Sequence, residues 1–132
     1  MEGKNAFDTY VSFETAKLMA EKGFDKPTIA YTYGEGMVNY YSSPKVTDAG
    51  SIEAGRYPLP TIDQAISWLF DQPHSLGISI EYSPNGFFCK IRTILRDSKG
   101  YVIGSKEVEG PTDFYGTYND AYDAAIKFCL EK

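Results

Sequence analysis

A single histidine and two cysteines are all that 132 residues offer of the side chains that most often ligate metals or attack substrates. Cys89 and Cys129 stand too far apart for a CxxC pair, and two thiols make no disulfide framework. Both read as buried free thiols. His74 falls between Pro73 and Ser75 in a connection, has no partner that the sequence identifies, and reads as a solvated turn residue rather than a general base. A G-x-S-x-G elbow is missing. Neither Tyr33-Gly34-Glu35-Gly36 nor Gly100 to Gly104 has the strand, G-x-G-x-x-G, helix order that cradles a pyrophosphate. The expectation is that the protein is not an enzyme and holds no metal or cofactor.

Long apolar runs are missing too. Nowhere do about 18 consecutive apolar residues occur, and Met1-Glu2-Gly3-Lys4-Asn5 carries no apolar signal segment. No membrane association and a cytoplasmic location are expected. Positive charge is in deficit, with 13 Lys and Arg against 18 Asp and Glu, a net charge of -5 and a pI near 4.8. An overall field that attracts phosphate backbones is therefore absent, and general nucleic-acid binding is not expected.

Aromatic residues are what the chain has in quantity: 11 Tyr, 8 Phe and one Trp. That is enough large side chain to offset ordering entropy, and the length suits one domain over residues 1–132. Ser12 opens an amphipathic helix with Phe13, Ala16, Met19 and Ala20 on one side, which Gly23 stops and over which Phe24 folds back. Two β-prone runs, Ile29 to Tyr33 and Met37 to Tyr41, flank Gly34-Glu35-Gly36 as a hairpin. The stretch from residue 42 to 60, with three prolines and two glycines, reads as an irregular excursion. Thr61 and Gln64 make a capping box for a helix whose stripe is Ile62, Ala65, Ile66, Leu69 and Phe70. Alternation then predicts strands over Gly77 to Tyr82, Phe87 to Arg96 and Tyr101 to Val108, and Thr117 opens a last helix.

The order is thus α-β-β-α-β-β-β-α: a single α+β domain, with an antiparallel sheet and helices packed on one face. Ile62, Ile66, Leu69, Ile78, Ile80, Ile91, Tyr122, Ala125 and Phe128 are expected to share its core. Strand alternation puts Lys90, Arg92 and Arg96 on one sheet face, near Lys99 and Lys106, as a candidate anion site. The competing reading is a solvent face on which these cations pair with Glu81, Glu107 and Glu109. Tyrosines 31, 33, 40 and 41 offer an aromatic platform, with Tyr33 and Tyr40 as its candidate binding residues. Carboxylate pairs such as Glu107/Glu109 and Asp120/Asp123 read as solvated surface.

From Thr61 onward the element order resembles the double-stranded-RNA-binding domain, and Ala124-Ala125 fits that family's second helix. The chain departs from it at Gly116-Thr117-Tyr118-Asn119-Asp120, which holds none of the lysines that clamp RNA there. A broader similarity is to small uncharacterised proteins encoded by phages and prophages of gut anaerobes. It is carried by Tyr10 to Leu18, Lys22 to Asp25, Pro60-Thr61 through Trp68-Leu69, Ile78-Ser79-Ile80 and Tyr118 to Leu130. The resemblance implies a phage accessory protein with no transferable catalytic residues. The expected function is binding to a host or phage protein, for instance as a counter-defence inhibitor, because tyrosine supplies contact area at low entropic cost. The alternative is a small-ligand binder that sequesters a nucleotide or similar anion through Lys90, Arg92, Arg96 and a stacking tyrosine. Homo-oligomerisation is compatible with either.

Overall fold

Why the chain folds as it does is clearest at its caps and turns. The computed structural model describes residues 10–72 and 75–131. His74 and the first residues of the chain lie outside them. The fold is α+β, and its contacts divide it into two compact units, Met1–Gln64 and Ala65–Lys132. The strands are distributed over two three-stranded antiparallel sheets rather than one.

In the first unit, α1 (Phe13–Glu21) starts where the Ser12 hydroxyl accepts from Thr15 N, as the sequence predicts. Gly23 adopts a positive φ of 95°, and Phe24 N donates to Met19 O, which brings the Phe24 ring down into the core. The buried side of α1 is Thr15, Ala16 and Met19. The hairpin is β1 (Thr28–Thr32) and β2 (Asn39–Lys45), with Tyr31 opposite Asn39 and Ala30 opposite Tyr40. β2 runs on through Pro44 after a bulge that pairs Thr28 with Lys45. Proline is tolerated there because β2 is an edge strand, whose free side needs no N–H.

The stretch expected to be irregular completes this sheet. After β2 comes α2 (Ala49–Glu53), capped by the Asp48 carboxylate accepting from Ser51 N at 2.7 Å. β3 (Tyr57–Pro58) then pairs antiparallel with the other side of β1, and Leu59 N donates to Ala30 O at 3.0 Å. Pro58, Leu59 and Pro60 are buried. A two-residue strand containing proline has no alternation to read, which is why the sequence shows only turn residues here.

α3 (Ile62–Phe70) carries the predicted capping box in full: Gln64 N donates to Thr61 Oγ1 at 3.1 Å and Thr61 N to Gln64 Oε1 at 3.0 Å. In the second unit, β4 (Leu76–Ser83) and β5 (Gly86–Arg96) form a ladder without slippage, and β6 (Val102–Val108) is added beyond β5 with a bulge at Leu95/Arg96. α4 (Tyr118–Leu130), capped by Thr117, packs on β4 and β5. Its buried face is Ala121, Ala125, Ile126, Cys129 and Leu130, against Cys89 and Ile91 of the sheet.

The expected core is therefore adjusted. Ile62, Leu69, Ile91 and Ala125 are buried, whereas Ile66, Ile78, Ile80, Tyr122 and Phe128 are only half-buried. The α4 stripe is turned toward Ile126 and Leu130, and β4, an edge strand, leaves its isoleucines half open.

Candidate functional site

Alternation along β1 divides its side chains cleanly: Thr28, Ala30 and Thr32 are buried, while Ile29 and Tyr31 turn outward and Tyr33 continues their face. The β1–β2 register adds Tyr41 to that same face. It leaves Tyr40, opposite Ala30, on the other one. There Tyr40 meets Tyr10 edge-on at 6.4 Å, and partial burial together with Tyr40 pushes the Tyr10 hydroxyl above its ordinary pKa. Tyr33 and Tyr40 are thus not one platform; they lie back to back across the hairpin.

The outer face holds a continuous aromatic and cationic stack. The Tyr31 and Tyr41 rings lie 4.6 Å apart at a tilt of 36°, and Tyr33 meets Tyr31 edge-on at 5.9 Å. Arg56, from the segment between α2 and β3, lays its guanidinium carbon 4.5 Å from the Tyr31 centroid and 5.4 Å from that of Tyr33. Its Nε and Nη2 both donate to the Tyr33 hydroxyl, at 2.9 and 2.6 Å. That hydroxyl, the strongest influence, raises the Arg56 pKa further above its ordinary value. Beyond Tyr41, Lys45 Nζ sits 5.4 Å from the ring, and the Tyr41 hydroxyl shares a 2.8 Å hydrogen bond with Thr47 Oγ1. Asp48 is an acid on which both cations act. Its carboxyl is held below its ordinary pKa first by Ser51 N and then by the charges of Lys45 and Arg56.

Arg56 and Lys45 were not among the residues that the sequence singled out. Only the pairing of β3 with β1 brings residue 56 beside residues 31 and 33, and nothing in a loop-like stretch announces a two-residue strand. The signal that was present is composition: Arg56 is the sole arginine before residue 92.

The basic strand face is arranged differently. Lys90 Nζ lies 3.2 Å from Glu81 of β4, and Arg92 lies 4.0 Å from Glu107, its direct partner in β6. Arg96 stacks its guanidinium 4.8 Å from the Phe70 centroid and donates to Gly100 O at 2.9 Å and to Ser75 Oγ at 3.3 Å. Lys106 pairs with Thr93, so alternation puts it on the opposite face from Arg92. The candidates Lys90, Arg92 and Arg96 do share a face, and each has a local partner on it.

Two other exposed patches occur in the second unit. Leu95, Tyr101, Val102 and Ile103 lie around the distal end of the β5–β6 hairpin, and Tyr82, Phe87 and Tyr118 stack at its other end. Cys89 and Cys129 are buried free thiols, and burial pushes the Cys89 thiol above its ordinary pKa, away from the thiolate that a nucleophile needs. Among the described residues no cluster of His, Cys, Asp and Glu could hold a metal ion, and no helix is long and apolar enough to cross a membrane. No protein-family model, curated protein or solved structure matches the chain.

Proposed function

We propose that the chain is a non-catalytic accessory protein, of phage or prophage origin, that binds a host or phage protein through the Tyr31/Tyr33/Tyr41/Arg56 face of its first sheet. Inhibition of a host defence protein is the activity that such binding would serve. The observation that carries this reading is Arg56, held by a stacking contact to Tyr31 and two hydrogen bonds to Tyr33. Pinning a long cationic side chain and exposed rings before a partner arrives lowers the entropy lost on association. Tyrosine and arginine are also the residue types that dominate interface energetics. The resemblance of several segments to phage and prophage proteins supports the genomic setting. A nucleotide site on Lys90, Arg92 and Arg96 has less support, because those cations already meet Glu81, Glu107 and Phe70.

The test is affinity capture from lysogenic or infected cells with the wild-type chain, a Tyr33→Ala variant and a Lys90→Glu/Arg92→Glu variant. A specific partner should be lost with the first variant and retained with the second. Retention of every partner by Tyr33→Ala would sink the assignment to this face.

A further inference from the structure

The outer face of the first sheet is rich in donors and poor in acceptors. Arg56 gives Nε and Nη2 to the Tyr33 hydroxyl, whose own proton stays available to donate, and the Tyr41 hydroxyl also acts on the guanidinium. Lys45 is exposed above Tyr41. Among the described residues neither cation has a carboxylate at ion-pair distance, in contrast to Lys90 and Arg92. Asp48 acts on both only from a distance, with its oxygen committed to Ser51 N. Arg56 lies on Tyr31 and Lys45 on Tyr41, two rings that stack on each other, so the face offers two cations to a chain bearing several carboxylates. Exposed Ile29 and Tyr33 supply apolar surface beside them.

We infer that Arg56 and Lys45, set on the Tyr31/Tyr33/Tyr41 face, bind an acidic segment of the partner protein, one carboxylate taken by the Arg56 fork and another by Lys45. This rests on the proposed recognition role of the same face and gives its partner a chemistry. The guanidinium suits the task because a carboxylate can accept two parallel N–H bonds from it, and the stack on Tyr31 fixes the plane of the fork beforehand. Lys45 acts as a point charge on a flexible stem and sets no register. The alternative role for Arg56 is purely structural, as a clasp that ties the segment before β3 to the hairpin.

The experiment is an NMR titration of the isotopically labelled full chain with a hexaglutamate peptide, with inorganic phosphate and hexalysine as separate arms. Hexaglutamate should give a saturable shift at the Arg56 Nε–H and at the Tyr31, Tyr33 and Tyr41 rings, weakened in about 0.5 M salt, where charges are screened beyond roughly 4–5 Å. Arg56→Ala should weaken it about tenfold, and Arg56→Lys by less, since charge is kept and the fork is lost. Lys45→Ala touches no structural hydrogen bond of the stack and should also weaken the titration, which separates anion binding from the clasp role. No saturable shift, shifts centred on Lys90 and Arg92, or affinity untouched by both Arg56→Ala and Lys45→Ala would overturn the inference. So would phosphate binding as tightly as hexaglutamate, which would mark a single-anion site. If hexaglutamate fails while Tyr33→Ala still releases a captured partner, the acidic segment falls and the recognition face stands. Binding of hexaglutamate with no partner dependent on Tyr33 upholds the site and removes the recognition role.

Discussion

Each unit of this chain carries arginine and lysine on an exposed sheet face beside aromatic rings, yet the two faces differ in what the cations meet. On β5 of the second unit, Lys90 and Arg92 are matched across the ladder by Glu81 and Glu107, and Arg96 closes on Phe70 and the Gly100 carbonyl. On the first sheet Arg56 and Lys45 meet tyrosines, which polarise toward a cation without cancelling its charge. A charge matched by a carboxylate has little left to offer a ligand. One held on a ring keeps its field and most of its donors. Clusters of cations on a strand are thus weak evidence of a site until the facing strand is known, and the register decides which kind they are.

The sharpest way to break the comparison starts with the scaffolds. Met19 of α1 and Ile91 of β5 are almost wholly buried, one in each unit. Met19→Ala and Ile91→Ala should each cost about 2–5 kcal/mol in chemical denaturation, whereas half-buried Ile66→Ala should cost less than either. An Ile66→Ala loss that exceeds both would mean the helix stripes are assigned to the wrong sides. The next largest effect concerns the faces themselves. Tyr33→Ala should weaken association with a captured partner by about 2 kcal/mol or more, the scale of an interface hot spot. Tyr40→Ala, on the reverse of the hairpin, should cost well under half of that. Calorimetry on both variants checks it, and equal losses would erase the distinction between the two faces.

Much of the scaffold was legible in the sequence, and the way the legible parts differ from the rest is physical. Ser12, the Thr61/Gln64 box and Thr117 all cap where their side-chain chemistry requires, because an N-cap is decided by a few adjacent residues. The β4–β5 pairing follows from alternation and one tight turn. What could not be read was non-local. The third strand of the first sheet is β3, only two residues long, and the tyrosine face depends on a register that puts Tyr33 and Tyr40 on opposite sides. Period alone puts Lys90, Arg92 and Arg96 on one face, but whether such cations are free or paired depends on neighbouring strands, here on Glu81 beside Lys90 and Glu107 beside Arg92.

A backbone change tests how firmly the second sheet is held. Gly86 has a φ of 124°, and a methyl group there would stand 2.8 Å from the Tyr115 carbonyl oxygen, whose bond from Phe87 N is part of a reciprocal pair. Gly86→Ala should therefore cost about 1–3 kcal/mol, a strained backbone position added to a contact that must shift. Urea denaturation measures it. No loss at all would mean that the 109–117 segment yields freely and that the Phe87–Tyr115 bridge does little to anchor it.

The smallest effect is expected where the charges are already matched. Lys90→Glu/Arg92→Glu removes two partly exposed ion pairs, the looser of them 4.0 Å long, and places like charges beside Glu81 and Glu107. Solvent screens both, so the loss should be about 1 kcal/mol or less, and most of it should return when Glu81→Lys and Glu107→Lys are added to make a charge-swapped face. Rescue of stability by the swap is the signature of pairing, because an anion site would be destroyed by the first change and left without its geometry by the second. Calorimetry with ATP gives the other half of the test. If the wild type binds ATP and the swapped chain, equally stable, does not, then Lys90 and Arg92 were serving a ligand after all and the contrast between the two faces fails. If neither chain binds, the cations of β5 are explained by the glutamates that face them, and the tyrosine-backed pair on the first sheet is left as the place where charge is held ready for a partner.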